Sequence, residues 1–186
     1  MENEMNKPKK ELFKPALNYS LLISVALIIL SLVFYLVGHS TSAVHGWLGF
    51  ALFVVGLIYA AIMYRNEYNG GYIKYGSSLG FLTIVGLITG VIVGVYSFIL
   101  YSIIAPDLME QIRQDTIETA INMMYQLNPN YSDAELDALI DLQLRFQTPF
   151  FKAISGIVGY TFQGFLFGLI ISIFVKRNKP IEGPVE

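Results

Sequence analysis

Residues 64–80 read YRNEYNGGYIKYGSSLG, and from Gly76 to Ala105 the chain carries no charged side chain. A helix over that run would be about 45 Å long, because an α-helix rises about 1.5 Å per residue. The hydrocarbon core of a bilayer is about 30 Å thick. The run therefore predicts a membrane span that tilts, kinks or protrudes into an interface. Glycine recurs within it at Gly86, Gly90 and Gly94. That four-residue spacing makes one smooth face on an apolar helix, where a second helix can approach closely. The polar, tyrosine-rich stretch before Gly76 then becomes the connection between two spans.

Three further apolar runs flank this pair. Gly46–Tyr64 is the span that leads into the polar stretch, with Trp47 near one end and Tyr59 and Tyr64 toward the other, as aromatic belts require. Gly56 and Ala60 give it a small-residue pair. Upstream, Ala16–Val37 is uncharged, and it is longer than the hydrophobic region of a cleavable signal, so a retained span is expected. Near the other end, Phe150–Val175 contains Lys152 close to its start, read as a lysine free to snorkel. Gly164, Gly168 and Ser172 repeat the small-residue spacing there. The spans at 76–105 and 150–175 are expected to contact each other or a neighbouring subunit through these glycines.

The bulk composition agrees. Of 186 residues, 54% are hydrophobic and only 14% charged, whereas an average soluble domain is about 25% charged. A soluble fold of this size could not hide that apolar surface. The net charge of −2 suggests no nucleic-acid partner. Cysteine is absent, which removes disulfides, thiolate metal sites and cysteine nucleophiles.

Residues 106–148 differ in kind. Asp107, Glu110, Asp115, Glu118, Asp133, Glu135, Asp137 and Asp141 face only Arg113 and Arg145. Ile117, Ala120, Ile121 and Met124 recur at helical spacing, Asn128-Pro129-Asn130 breaks the pattern, and Ser132 with Glu135 forms a capping box for a second amphipathic helix. An extramembrane helical hairpin results. Acidic helices gain nothing from anionic lipid, so packing on each other or on a partner is expected. Thr148-Pro149 starts the next span as an N-cap followed by proline.

Orientation follows from lysine and arginine. Lys7, Lys9, Lys10, Lys14, Arg65, Lys74, Lys176, Arg177 and Lys179 fall on one side, and Arg113, Arg145 and Lys152 on the other. The positive-inside rule puts both termini and the Tyr64–Gly80 loop in the cytoplasm and the hairpin outside. The expected division is a cytoplasmic arm at 1–15, kept from regular helix by Pro8 and Pro15, a four-span domain at 16–175, and a tail at 176–186. The fold class is all-α, an integral-membrane four-helix bundle with an extracytoplasmic hairpin between spans three and four.

No catalytic, cofactor or metal constellation stands out. The span cores hold no ionisable acid or base of the kind that marks ion paths. Gln163 is expected to bond another helix. His39 and His45 lie in the short loop GHSTSAVH and read as solvated. The acids of the hairpin read as a solvated face. The candidate contact site for a lipid headgroup or a partner is the polar stretch itself: Arg65, Glu67, Tyr68, Gly70, Gly71, Tyr72, Lys74 and Tyr75. Arg65 and Lys74 supply charge, and the glycines can expose backbone N–H groups. The tyrosines anchor at headgroup depth, which would also suit a plain turn between spans.

The pattern Arg65, Glu67, Tyr68, Gly70, Gly71, Tyr72, Tyr75 and Gly76, followed by the long span ending YSIIAPDLMEQ, the acidic hairpin and TPF, resembles a family of small four-span bacterial membrane proteins. That family is known as domain of unknown function 4199 and occurs mainly in Bacteroidota. The resemblance implies the topology and an inner-membrane location, and it implies no activity. The leading expectation is a non-enzymatic accessory or scaffold protein of the inner membrane. Its partners are the lipid bilayer and a membrane protein or further copies of itself, with no nucleic acid and no cofactor. The alternative is a small oligomeric transporter, channel or lipid-handling protein.

Overall fold

A computed structural model describes residues 10–127 and 133–179. They form six helices: α1 Lys10–Leu36, α2 Ala43–Met63, α3 Tyr75–Ile99, α4 Pro106–Leu127, α5 Asp133–Phe146 and α6 Pro149–Val175. Two wider π turns extend the chain past α2, at Tyr64–Tyr68, and past α3, at Leu100–Ile104. The fold is all-α. Four helical stretches, Leu12–Leu36, Ala43–Tyr68, Tyr75–Ile104 and Pro149–Val175, are long and apolar enough to cross a membrane. The chain is a multi-pass membrane protein. Asn128-Pro129-Asn130, Ser132 and the arm around Lys7 and Pro8 lie outside the described residues.

One boundary corrects the expectation. Helix α1 begins by Lys10 and runs through Pro15, where an irregular arm was predicted. Proline removes one backbone donor, here the bond to the Glu11 carbonyl, and only about one turn from the helix end. That loss is small so near a terminus, and Pro15 is fully buried. At the other end, Ser42 caps α2 by accepting from the Val44 N–H at 3.2 Å, and Thr148 caps α6 by accepting from Phe151 N–H at 3.2 Å.

The closest packing joins α3 to α6. A Cβ added at Gly86 would lie 2.5 Å from the Tyr160 carbonyl oxygen and 3.0 Å from the Gly164 Cα. At Gly90 it would lie 2.9 Å from the Ile157 Cα and carbonyl oxygen, and at Gly94 3.0 Å from the Ala153 oxygen. Gly164 meets the Leu82 oxygen at 2.9 Å, and Gly168 meets Leu79 and Leu82 side chains. Main chain thus rests on main chain along the seam. Inside a membrane this contact is held by van der Waals packing, since lipid tails are as apolar as the side chains they replace.

Helices α1 and α2 close the other side. Ile23 of α1 fills the notch over Gly56 of α2. Phe53, Leu57, Ala60, Phe81, Leu82 and Val85 are fully buried between the helices. A polar thread runs along the α1–α3 contact. Ser20 Oγ donates to the Val85 carbonyl at 3.1 Å, and Tyr96 Oη donates to Ser31 Oγ at 3.3 Å. Ser24 and Thr89 are fully buried and have no hydrogen-bond partner among the described residues. Gln163 is half-buried, and its expected interhelical bond is absent among the described residues. Leu36, Val55, Val158 and Phe174 point outward from the bundle, a surface that lipid can cover.

The hairpin sits on the opposite end from Tyr64. Leu108 packs with Leu100 and Ala105, flanked by Tyr35, Tyr96, Tyr101 and Ile112, and α5 packs against α4. The long third span keeps its 30 helical residues, Tyr75–Ile104, and ends by widening: the Ala105 N–H reaches back to the Leu100 carbonyl at 2.7 Å, closing the π turn before Pro106 starts α4.

Candidate functional site

The predicted site is built by a helix that unwinds in stages. α2 widens into the π turn at Tyr64, and Asn69 closes it by donating Nδ2–H to the Tyr64 carbonyl at 3.0 Å. Gly70 and Gly71 then take φ of 60° and 85°, a left-handed pair that glycine adopts without a Cβ clash. Gly71 N–H donates to the Arg65 carbonyl at 2.9 Å, and Tyr72 N–H to Asn69 at 3.2 Å. Of the two glycine N–H groups proposed to face an anion, Gly71's is thus used inside the turn. The chain next pairs with the residues that leave α6. Ile73 and Arg177 exchange both backbone N–H···O bonds, each at 3.0 Å, in an antiparallel bridge.

The side chains tie four helices together at this end. Tyr19 of α1 donates its hydroxyl to Glu67 Oε2 at 2.7 Å. Its ring meets Tyr59 and Phe81 edge-on, while Tyr64 stacks on Phe81 with centroids 3.9 Å apart. Arg65 donates from Nε to Asn66 Oδ1 at 3.0 Å and from Nη1 to the Val175 carbonyl at 3.4 Å. That second bond serves one of the free carbonyls at the C-terminus of α6, where a cation also complements the helix dipole. Tyr75 Oη donates to the Leu169 carbonyl at 3.3 Å. The tyrosines do not share one face: Tyr64 is buried, Tyr75 bonds α6, and Tyr68 and Tyr72 are exposed. Lys74 is exposed at the start of α3, as are Lys176 and Arg177 beside the bridge.

The sequence pointed to this end and passed over the other. A cavity of about 480 Å³ opens between the α1–α2 loop, α4, α5 and the first turn of α6. Ser40, Asp115, Thr116, Gln143 and Lys152 contribute its polar groups, with Ile112 and Met123 among the apolar ones. A second cavity of about 320 Å³, lined by Tyr35, Asp107 and Gln111, shares Ser40 with the first. Arg113 Nε donates to the Gln147 carbonyl at 3.0 Å, and Gln147 Nε2 donates to Thr116 Oγ1 at 3.4 Å. The Oε1 atoms of Gln143 and Gln147 are buried with no partner among the described residues. His39 and His45 line neither cavity and make local contacts, Nδ1 to the Val37 and Ser40 carbonyls at 2.7 and 2.9 Å, with His45 stacked on Phe34. One sequence signal marked this place. Lys152 is the lone charge within the last apolar run, and a lysine there needs either water or a polar pocket.

Residues 18–177 match a family described as a protein of unknown function, DUF4199. No curated protein and no solved structure matches the chain. The match covers most of the 186 residues and both polar ends of the bundle, so the chain belongs to the DUF4199 family.

Proposed function

We propose that this member of the DUF4199 family is a non-enzymatic accessory or scaffold protein of a bacterial inner membrane. Both termini and the Tyr64–Tyr75 junction face the cytoplasm, and the α4–α5 hairpin faces the other side as the surface offered to a membrane protein or to a second copy. The observation that carries the reading is the α3–α6 seam. A conduit needs space between spans, and here a single methyl group at Gly86 would meet the Tyr160 carbonyl at 2.5 Å. The α1–α2 side is filled by Phe53, Leu57, Phe81 and Leu82. A rigid bundle with an acidic module at one end suits holding a partner in place better than passing a solute.

Purification in mild detergent with identification of bound proteins tests this. The expected result is a stoichiometric membrane partner, or a defined oligomer, that is lost when Asp115, Glu118, Asp137 and Asp141 are replaced by lysine. A monodisperse protein without partner that carries solute flux in liposomes overturns it and favours the transporter or lipid-handling reading. The polar cavity beside Lys152 is the observation that keeps lipid handling in view. Orientation has a clean assay because the chain contains no cysteine. A single cysteine at Glu118 should react with an impermeant maleimide in intact cells, and one at Asn66 only after lysis.

A further inference from the structure

We infer that the cavity between the α1–α2 loop, α4, α5 and α6 binds a small zwitterion, one that joins a primary ammonium to an anionic group a few bonds away. Lys152 is the only cation among its lining residues, half-buried in the first turn of α6. It forms no ion pair among the described residues, so an anionic group is the complement that the cavity leaves open for it. Two acceptors complete the set. The Asp115 carboxylate lines the same cavity. Gln143 lines it too, half-buried, and its Oε1 is sealed beneath the lining without a donor among the described residues, so turning the amide toward the cavity would give that acceptor a partner. A primary ammonium offers N–H groups to Asp115 and to the turned amide at once. A quaternary ammonium offers charge alone and leaves Gln143 unsatisfied. A pure anion would meet Lys152 but also face Asp115. The zwitterion is therefore the class whose charges and hydrogen bonds match the lining.

The ligand chemistry has two sources. Lys152 stands at the start of a membrane-spanning helix, the depth at which lipid headgroups lie, so the ethanolamine phosphate of a phospholipid fits. A free amino acid carries the same pair of charges. Binding is read on the purified chain and does not rest on the scaffold reading.

The test uses the whole protein in nanodiscs of phosphatidylethanolamine or phosphatidylcholine, followed by native mass spectrometry, with soluble phosphoethanolamine and glycine titrated by calorimetry in detergent. Retention of phosphatidylethanolamine at least tenfold above phosphatidylcholine identifies the headgroup. Saturable binding of a soluble zwitterion identifies the free ligand. In either case Lys152→Met and Gln143→Leu should reduce the binding at least tenfold, and Lys152→Arg should keep most of it. The melting temperature of each variant shows that the fold is intact, and Lys152→Arg serves as the check if Lys152→Met unfolds. Equal retention of the two lipids with no soluble binding at millimolar concentration overturns the proposal. So does undiminished binding in Lys152→Met and Gln143→Leu.

Discussion

Along α3 and α6, glycine lets one main chain rest on another, and the contacts are fixed by atoms that cannot rotate away. At the hairpin, long side chains make the contacts, with Arg113 of α4 reaching the Gln147 carbonyl just past α5, Gln147 reaching back to Thr116, and a cavity left beside α4 and α5. The middle of the seam, where Gly86, Gly90 and Gly164 meet main-chain atoms, has no adjustable part, so its shape is decided when the helices form. The hairpin has many, so its shape can answer to what occupies it. Substitutions that add volume should therefore be punished at the seam and absorbed at the hairpin. The Tyr64–Arg177 junction stands between these extremes, rigid in its backbone and open on its polar surface.

The sharpest way to break this contrast is Gly86→Val. Its side chain has to displace the Tyr160 carbonyl, and a loss of more than about 3 kcal/mol, with loss of monodispersity in detergent, is expected. A melting temperature near wild type would show that the seam yields as easily as the hairpin. Tyr19→Phe removes the 2.7 Å bond to Glu67 and should cost about 1–2 kcal/mol by denaturant unfolding. No change would separate α1 from the junction. Gly71→Ala forces a Cβ into left-handed backbone and should cost about 1–2 kcal/mol, while Gly80→Ala, which meets open space, should gain up to about 1 kcal/mol. Comparing the two by thermal melting separates strain from mere loss of a glycine. The smallest effect belongs to the hairpin. Asp141→Asn breaks an exposed pair with Arg145 at 3.0 Å and should shift stability by at most about 0.5 kcal/mol. A larger drop would mean that the hairpin is as tightly determined as the seam.

How much of this was legible depended on range. The spans follow from uninterrupted apolar runs, and the glycine spacing at 86, 90 and 94 marks a close-packing face, because both are local periodicities. The partner of that face is another matter. Nothing local sets Gly86 against Gly164, and the expectation left a neighbouring subunit open. That the polar stretch around Gly70 and Gly71 connects two spans was readable from composition. Its internal bond from Gly71 to Arg65 is local but depends on the exact left-handed geometry of two glycines, and the bridge from Ile73 to Arg177 arises only once α3 and α6 lie side by side. Tyr19 looked like one more aromatic in an apolar run, since its partner Glu67 is 48 positions away. Pro15 misled about the start of α1, because proline's penalty is judged for helix interiors and shrinks near an end. The cavity at Lys152 needed four segments to meet and could not be drawn from any one of them.

The end of the third span, at and just past the π turn Leu100–Ile104, decides how the outer module is aimed. Each residue of an α-helix turns the chain by about 100° about its axis. A π turn spreads one rotation over one residue more than an α turn, so deleting a single residue from Leu100–Ile104 would let the turn relax to ordinary helix and leave the phase of the chain about the α3 axis nearly unchanged. The aim of α4 is set one residue later. Ala105 leaves the helical region, at φ −140° and ψ 64°, immediately before Pro106 opens α4. The direction in which this protein presents its acidic face thus pivots on the backbone of Ala105, between a widened turn and a proline.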